Sequence, residues 1–325
     1  MLMLAATGCT ARLEPAGPPI QSPVLDTAAS EQKIIQADGA ILPLKSWLPE
    51  GSPTAVIVAL HGFNDYSNAF ARPGAYWAKK KRIATYAFDQ RGFGGAPHRG
   101  IWAGHATMTD DLAEAVELIR KRHSGMPLFV LGESMGGAIA MVAAADEAIR
   151  SDGLILVAPA LRGRQYLGIA PRALLAVTYR LVPWFRVTGQ GLRIQASDNI
   201  KMLRALGRDP KVIKGARIDT LKGLVDAMDA AAEAGPHLRI PALVLYGARD
   251  ELVPKQPTLD MINALPKGIG HRHAVYRSGW HLLLRDLKAK RVLDDIAAWI
   301  ADRSAPLPSG ADKDAANALA NSSAN

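Results

Sequence analysis

Six apolar runs of strand length recur along the chain, and helical stretches separate most of them. They are TAVIVAL (Thr54 to Leu60), IATYAFD (Ile83 to Asp89), PLFVLG (Pro127 to Gly132), GLILVAP (Gly153 to Pro159), ALVLYG (Ala242 to Gly247) and HRHAVYR (His271 to Arg277). A strand that is apolar on both faces needs cover on both faces, which a mostly parallel sheet flanked by helices supplies. The stretch TDDLAEAVELIRKRH from Thr109 carries Leu112, Val116 and Ile119 on one helical face. Ahead of the first run, IIQADGAILPLKSWLP reads as two short strands around Asp38-Gly39, a hairpin signal. The chain is therefore expected to be α/β, with its ligands at the carboxyl ends of the strands.

Composition narrows the chemistry. A length of 325 residues with 49% hydrophobic content is enough for one large core with a substantial insertion. The net charge is +9, but Lys and Arg are scattered rather than massed, which fits a solvated surface or an anionic membrane better than nucleic acid. The sequence has no zinc-ligand cluster and no phosphate-cradling glycine loop, so neither a metal nor a nucleotide cofactor is expected.

One turn stands apart from the rest. In LGESMGGAIA, Ser134 sits between a strand ending at Gly132 and a helix expected over Met135 to Ile149. Gly132 and Gly136 complete G-x-S-x-G, in which small residues let strand and helix backbones approach while the serine oxygen projects over the sheet edge. The helix that follows offers its first N–H, that of Met135, to negative charge. A serine becomes a nucleophile when a histidine removes its proton and a carboxylate orients that histidine. In this arrangement the acid and then the base follow the serine in chain order. Asp250, in LVLYGARDELVP, and His281, in VYRSGWHLLLRD, each come just past a strand and fill those places. Glu251 is a rival acid, whereas His98, His105, His123, His237, His271 and His273 read as structural or surface residues. The second oxyanion donor is expected from the loop after an early strand. His61-Gly62 ends that strand and presents the N–H of Phe63, with Asn64 and Asp65 making the turn at the mouth.

The blocks LHGFNDYS, FDQRGFG, GESMGG, YGARDELVP and GWHLLLRD resemble, in order, those of the α/β-hydrolase superfamily, and within it the monoacylglycerol lipase and lysophospholipase group. The resemblance runs from about Ile34 to about Asp302. It implies a mostly parallel sheet with helices on both faces, a helical cap, no cofactor, and acyl transfer on a single-chain lipid ester through Ser134, His281 and Asp250. Relatives with Asp at the nucleophile position, the haloalkane dehalogenases and epoxide hydrolases, are excluded by Ser134. In relatives the Asp and Arg of the DQRGFG block brace loops, so Asp89 is given no catalytic role. An acyltransferase with the same triad and a serine aminopeptidase-like peptidase remain the alternatives.

The resemblance and the composition together divide the chain. Residues 1–30 read as a lipoprotein-like signal ending at Cys9, followed by a Pro-, Ala- and Ser-rich tether. Residues 31–159 and 239–303 form the expected core, with 160–238 as the cap and 304–325 as a disordered tail. Within the cap, PRALLAVTYRLVPWF (Pro171 to Phe185) sets apolar and aromatic residues beside Arg172, Arg180 and Arg186, as a helix lying on a lipid surface would. The expected location is the cell envelope, anchored through Cys9, with a cytoplasmic protein as the alternative. The oligomeric state is left open.

Overall fold

A computed structural model describes residues 10–28, 30–189, 191, 194–313 and 315. Cys9 and the signal-like segment therefore lie outside the described residues. The large sheet contains β1 (Val24–Asp26) and the eight expected strands, β2 (Lys33–Ile35), β3 (Ile41–Trp47), β4 (Ala55–Leu60), β5 (Ile83–Phe88), β6 (Leu128–Glu133), β7 (Gly153–Val157), β10 (Ala242–Gly247) and β11 (Arg272–Tyr276). The first of these, β1, is an addition to that expectation. Two more short strands, β8 (Arg186–Thr188) and β9 (Gly215–Arg217), form a separate antiparallel ribbon. The large sheet has the order β1-β2-β3-β5-β4-β6-β7-β10-β11. Its six strands from β5 to β11 are parallel, and β1, β2 and β3 extend it antiparallel.

Alternation along each strand divides the core in two. Val56, Val58 and Leu60 of β4 pack with Leu112, Val116 and Ile119 of α2 (His105–Arg122) and with Ala138 and Ile139 of α3 (Met135–Ala145). The intervening Ala55, Ile57 and Ala59 face the other way, toward Trp77 of α1 (Ala71–Lys81) and Ile296 and Trp299 of α8 (Ala289–Ala301). Both layers exclude water, which accounts for the unbroken apolar runs.

Between β7 and β10 lie α4 (Ile169–Leu181), the β8–β9 ribbon, α5 (Ile200–Arg208) and α6 (Ile218–Ala234). The helix α6 is seated on the core where Gly223 meets the Trp102 ring: a Cβ there would come within 2.3 Å of it. Arg164 bonds Asp226 and Asp229 of the same helix. By contrast α4 buries none of its residues. Among the described residues no helix is long and apolar enough to cross a membrane.

Two expectations about the ends are corrected. The segment read as a free tether lies along the core: Arg12 N–H donates to Asp219, Ala16 N–H to Thr107 and Gly17 N–H to Asp38, and β1 then joins the sheet. The segment read as a disordered tail is packed as far as residue 313. Arg272 holds the carbonyls of Ser304 and Ala305, Ser309 N–H donates to Asp295, and Leu307 is buried. A bond from Val275 N–H to the Ala311 carbonyl covers the free edge of β11, which would otherwise expose unpaired backbone groups. Neither segment has a periodic apolar face. Both are held by bonds to groups far away in sequence, and local composition carries no sign of those.

Candidate active site

Ser134 connects β6 to α3 with φ 54° and ψ −116°. A non-glycine residue held there stores strain on the order of 1–3 kcal/mol, and the surroundings enforce it. Ser134 N–H is fixed to the Val157 carbonyl at 2.9 Å, and its own carbonyl accepts from Gly137 and Ala160. A Cβ on Gly132 would lie 2.3 Å from the Gly136 oxygen, and one on Gly136 would lie 2.3 Å from the Leu60 oxygen. Strand β4, strand β6 and helix α3 thus meet backbone to backbone, and only glycine fits at either contact. Ser134 itself is partly exposed, in contrast to Glu133 and Met135 on either side.

The loop after β4 comes against this turn, since a Cβ on Gly62 would lie 3.3 Å from the Ser134 Cβ. His61 is fully buried and fixes that loop. Its Nε2 accepts from Gln90 N–H at 3.0 Å, so its Nδ1 carries the proton and donates to the Gly62 carbonyl at 2.9 Å. Burial pushes its pKa below the ordinary histidine value, which keeps the ring neutral in that role. Phe63 follows, its ring edge-on to Phe93 at 5.5 Å. Next, Asn64 turns the chain at φ 65°. Met135 supplies the first N–H of α3, a position with no acceptor inside a helix.

Asp250 and His281 are brought together by the loops after β10 and β11. Gly247 permits this: a Cβ there would lie 2.5 Å from the Trp280 oxygen, so the loop before His281 lies directly over the end of β10. Arg249 N–H donates to the Gly279 carbonyl, stitching the two loops. His281 Nδ1 donates to Asp250 Oδ2 at 2.7 Å, with both side chains buried. The other oxygen, Oδ1, accepts from the N–H groups of Leu252 and Val253. This bonding leaves His281 Nε2 as the basic nitrogen. Glu251, the rival acid, instead accepts from Gln195 N–H on the insertion. The other histidines have other partners: His271 accepts from Ala242 N–H, and His123 bonds the Tyr86 hydroxyl.

A buried bridge under the site has no counterpart among the residues expected from sequence. Arg285 donates to Asp65 at 2.7 Å and to Glu133 at 2.8 Å, and all three side chains are buried. One guanidinium thereby joins the Phe63 loop, the residue before Ser134 and the His281 loop. Burial pushes the Glu133 carboxyl up, against the pull of Arg285 and His281. A signal for this was available, because a Glu ending an otherwise apolar strand has to find a cation. Asp286 was missed as well. It accepts from Ser197 of the insertion at 2.6 Å and from Trp280 N–H at 2.8 Å. Asp89 and Arg91 brace loops as expected. Asp89 accepts from the N–H groups of Ser67 and Gly95, and Arg91 bonds both Asp38 and Asp111.

The sheet order, the strained serine turn and the flanking helices define an α/β-hydrolase of the serine hydrolase class. The chain belongs to the hydrolase family described as serine aminopeptidase, S33, whose model matches residues 51–288. It is similar to the monoglyceride lipase of Homo sapiens, with 26% identity over 276 residues, 84% of this chain and 90% of that one. The monoacylglycerol lipase of Mycolicibacterium smegmatis is 24% identical over 289 residues, 85% of this chain and 99% of that one. A solved soluble variant of monoglyceride lipase from Saccharomyces cerevisiae, in complex with a substrate analog, superposes with a TM-score of 0.70 at 18% identity. That match covers 90% of this chain and 100% of the other. The expected fold and the resemblance to this group of hydrolases are both borne out.

Proposed function

We propose that the protein hydrolyses single-chain lipid esters, monoacylglycerol or lysophospholipid, through Ser134, His281 and Asp250. The observation that carries this is the buried Asp250–His281 bond, made at the same sheet edge as the strained Ser134 turn. Ser134 Oγ attacks the ester carbonyl as His281 Nε2 takes its proton, while Asp250 stabilises the imidazolium. The N–H groups of Phe63 and Met135 hold the oxyanion. His281 protonates the departing alcohol, and water deprotonated by the same nitrogen releases the fatty acid. The lipid preference draws on the similarity to monoglyceride lipases.

Residues 160–238 serve in this reading as a cap with an apolar outer face. Ile169, Leu174, Val177 and Leu181 of α4 are exposed, Ile169 at 88%, as are Phe185 just beyond and Trp184 between them. Such a face beside Arg172, Arg180 and Arg186 suits a membrane surface. A lipid anchor at Cys9 would hold the enzyme at the cell envelope, and Cys9→Ala is then expected to move it from the membrane to the soluble fraction of a bacterial host. Unchanged partition would remove the anchor.

The peptidase alternative needs a free carboxylate in the cap to hold a substrate amine. Asp226 and Asp229 are engaged by Arg164, Asp219 by Arg217, Asp209 by the Tyr66 hydroxyl and Asp198 by Leu287 N–H, which leaves the exposed Glu233 as the cap's candidate for that role. The deciding experiment is a panel of a monoacylglycerol, a lysophosphatidylcholine, a short p-nitrophenyl ester and an aminoacyl amide. Preferential cleavage of one single-chain lipid is expected. Cleavage of the amide alone would make the protein a peptidase, and product formed only with an added alcohol would make it an acyltransferase.

Gly136→Ala tests the turn without touching a reacting group. The added methyl pushes α3 away from β4, and a displacement of about 1 Å at the nucleophile costs roughly a hundredfold in rate. The expected result is a fall of that size in kcat with an unchanged far-ultraviolet circular dichroism spectrum. Full activity would mean that the close approach does not position Ser134.

A further inference from the structure

We propose that a second cavity, behind the loops that carry Asp250 and His281, binds a small phosphate-bearing anion. The cavity has a volume of about 400 Å3, and its wall includes Arg249, Arg277, Lys288, Arg291 and Ser278. That volume falls within the roughly 300–1,000 Å3 of small-molecule sites.

All four cations are exposed at the cavity rim, and among the described residues none of them has an ion-pair partner, whereas the buried Arg91 and Arg285 each hold two carboxylates. Arg249 lies over the Trp280 ring at 6.0 Å. The single acid in the wall, Asp286, already has its two oxygens engaged by Ser197 and Trp280 N–H. Lys288 caps the start of α8, Arg291 lies in its first turn, and that turn contains no acid. The positive end of a helix dipole favours anions, so basic residues there act against helix stability. A bound anion reverses this, because it meets the helix N-terminus and the side chains together. Arginine forks match phosphate oxygens in pairs, and a concave wall of one charge sign concentrates counter-ions. Val275, Leu283 and Val292 are among the remaining lining residues and give the cavity an apolar portion beside its cations.

The cavity is tied to the triad loops. Arg249 immediately precedes Asp250, its N–H is bonded to Gly279, and Ser278 and Gly279 lead into His281. The ligand is a phosphate group on a small body, either free in solution or as a lipid headgroup.

The test uses the full chain carrying Ser134→Ala, so that binding is read independently of turnover. Calorimetric titration with inorganic phosphate and with glycerol 3-phosphate at fixed ionic strength covers the soluble source. Co-sedimentation with phosphatidylcholine vesicles, with and without phosphatidylglycerol, covers the lipid source. Arg277→Ala/Arg291→Ala removes two site cations. Lys79→Ala/Lys80→Ala removes the same charge from exposed positions on α1.

Saturable one-to-one binding of the soluble phosphate is expected, weakened at least about tenfold by the arginine pair and unchanged by the lysine pair. Binding confined to anionic vesicles with the same variant pattern supports the site and assigns it to a headgroup. Absence of saturable binding in both arms, or equal weakening by the two variants, overturns the proposal.

Discussion

Replacing Ser134 with alanine is expected to lower kcat by between roughly ten-thousand-fold and a million-fold while the thermal unfolding midpoint stays within a few degrees. The size follows from what is removed. In the proposed mechanism no acyl-enzyme forms without the hydroxyl, and direct attack by water retains only the help of the proposed Phe63 and Met135 N–H donors. The fold has little stake in that oxygen. Ser134 is anchored through its backbone to Val157, Gly137 and Ala160, and Gly132 and Gly136 keep their close contacts in the variant. His281→Ala is expected to lose a similar amount, and the double variant scarcely more, because groups that act as a unit are lost together. Single-turnover hydrolysis of a p-nitrophenyl ester would measure all three. Loss in the double variant equal to the product of the single losses would mean that Ser134 and His281 do not work on one proton.

The features most legible in sequence were those written locally. Unbroken apolar runs marked the buried parallel strands, and the two glycines flanking Ser134, Gly132 and Gly136, marked a turn where backbones touch. The Asp250–His281 pairing could be expected because chain order and strand ends place both at one sheet edge. What stayed hidden depends on partners far apart in the chain. Arg285 lies 220 residues from Asp65 and 152 from Glu133; the Glu ending an apolar strand announces that a cation is needed, but not which one. The strap from Arg12 to Asp26 and the packed end from Ser304 to Lys313 look like tethers because their composition is that of tethers. Their order comes from acceptors on the core, such as Asp38, Asp219 and Asp295. The cationic cavity was equally invisible, since its residues come from three separate loops, the end of β11 and the start of α8.

Arg285→Met is expected to destabilise the protein by about 3–5 kcal/mol, the usual consequence of removing one partner from a buried ion bridge. The loss does not measure the strength of the bridge. It reflects two carboxylates, Asp65 and Glu133, left facing each other in a site from which water is excluded. Such a deficit depends on pH in a definite direction. Burial already pushes the Glu133 carboxyl up, and losing the guanidinium pushes it further. A carboxyl whose folded pKa is raised contributes stability below its unfolded value, near 4.3, and that contribution is lost as the pH rises through the folded value. The gap between variant and wild type is therefore widest at neutral pH and narrows as the pH falls toward 4. Adding Glu133→Gln and Asp65→Asn removes the stranded charges and is expected to recover most of the stability. Urea unfolding across this pH range separates the outcomes, and a gap that does not depend on pH would assign the loss to packing. Activity would report something else, because Arg285 joins the loop bearing Phe63, the strand end before Ser134 and the loop bearing His281. If its role is to align these three, the charge-free triple variant will regain its stability and still lack most of its kcat.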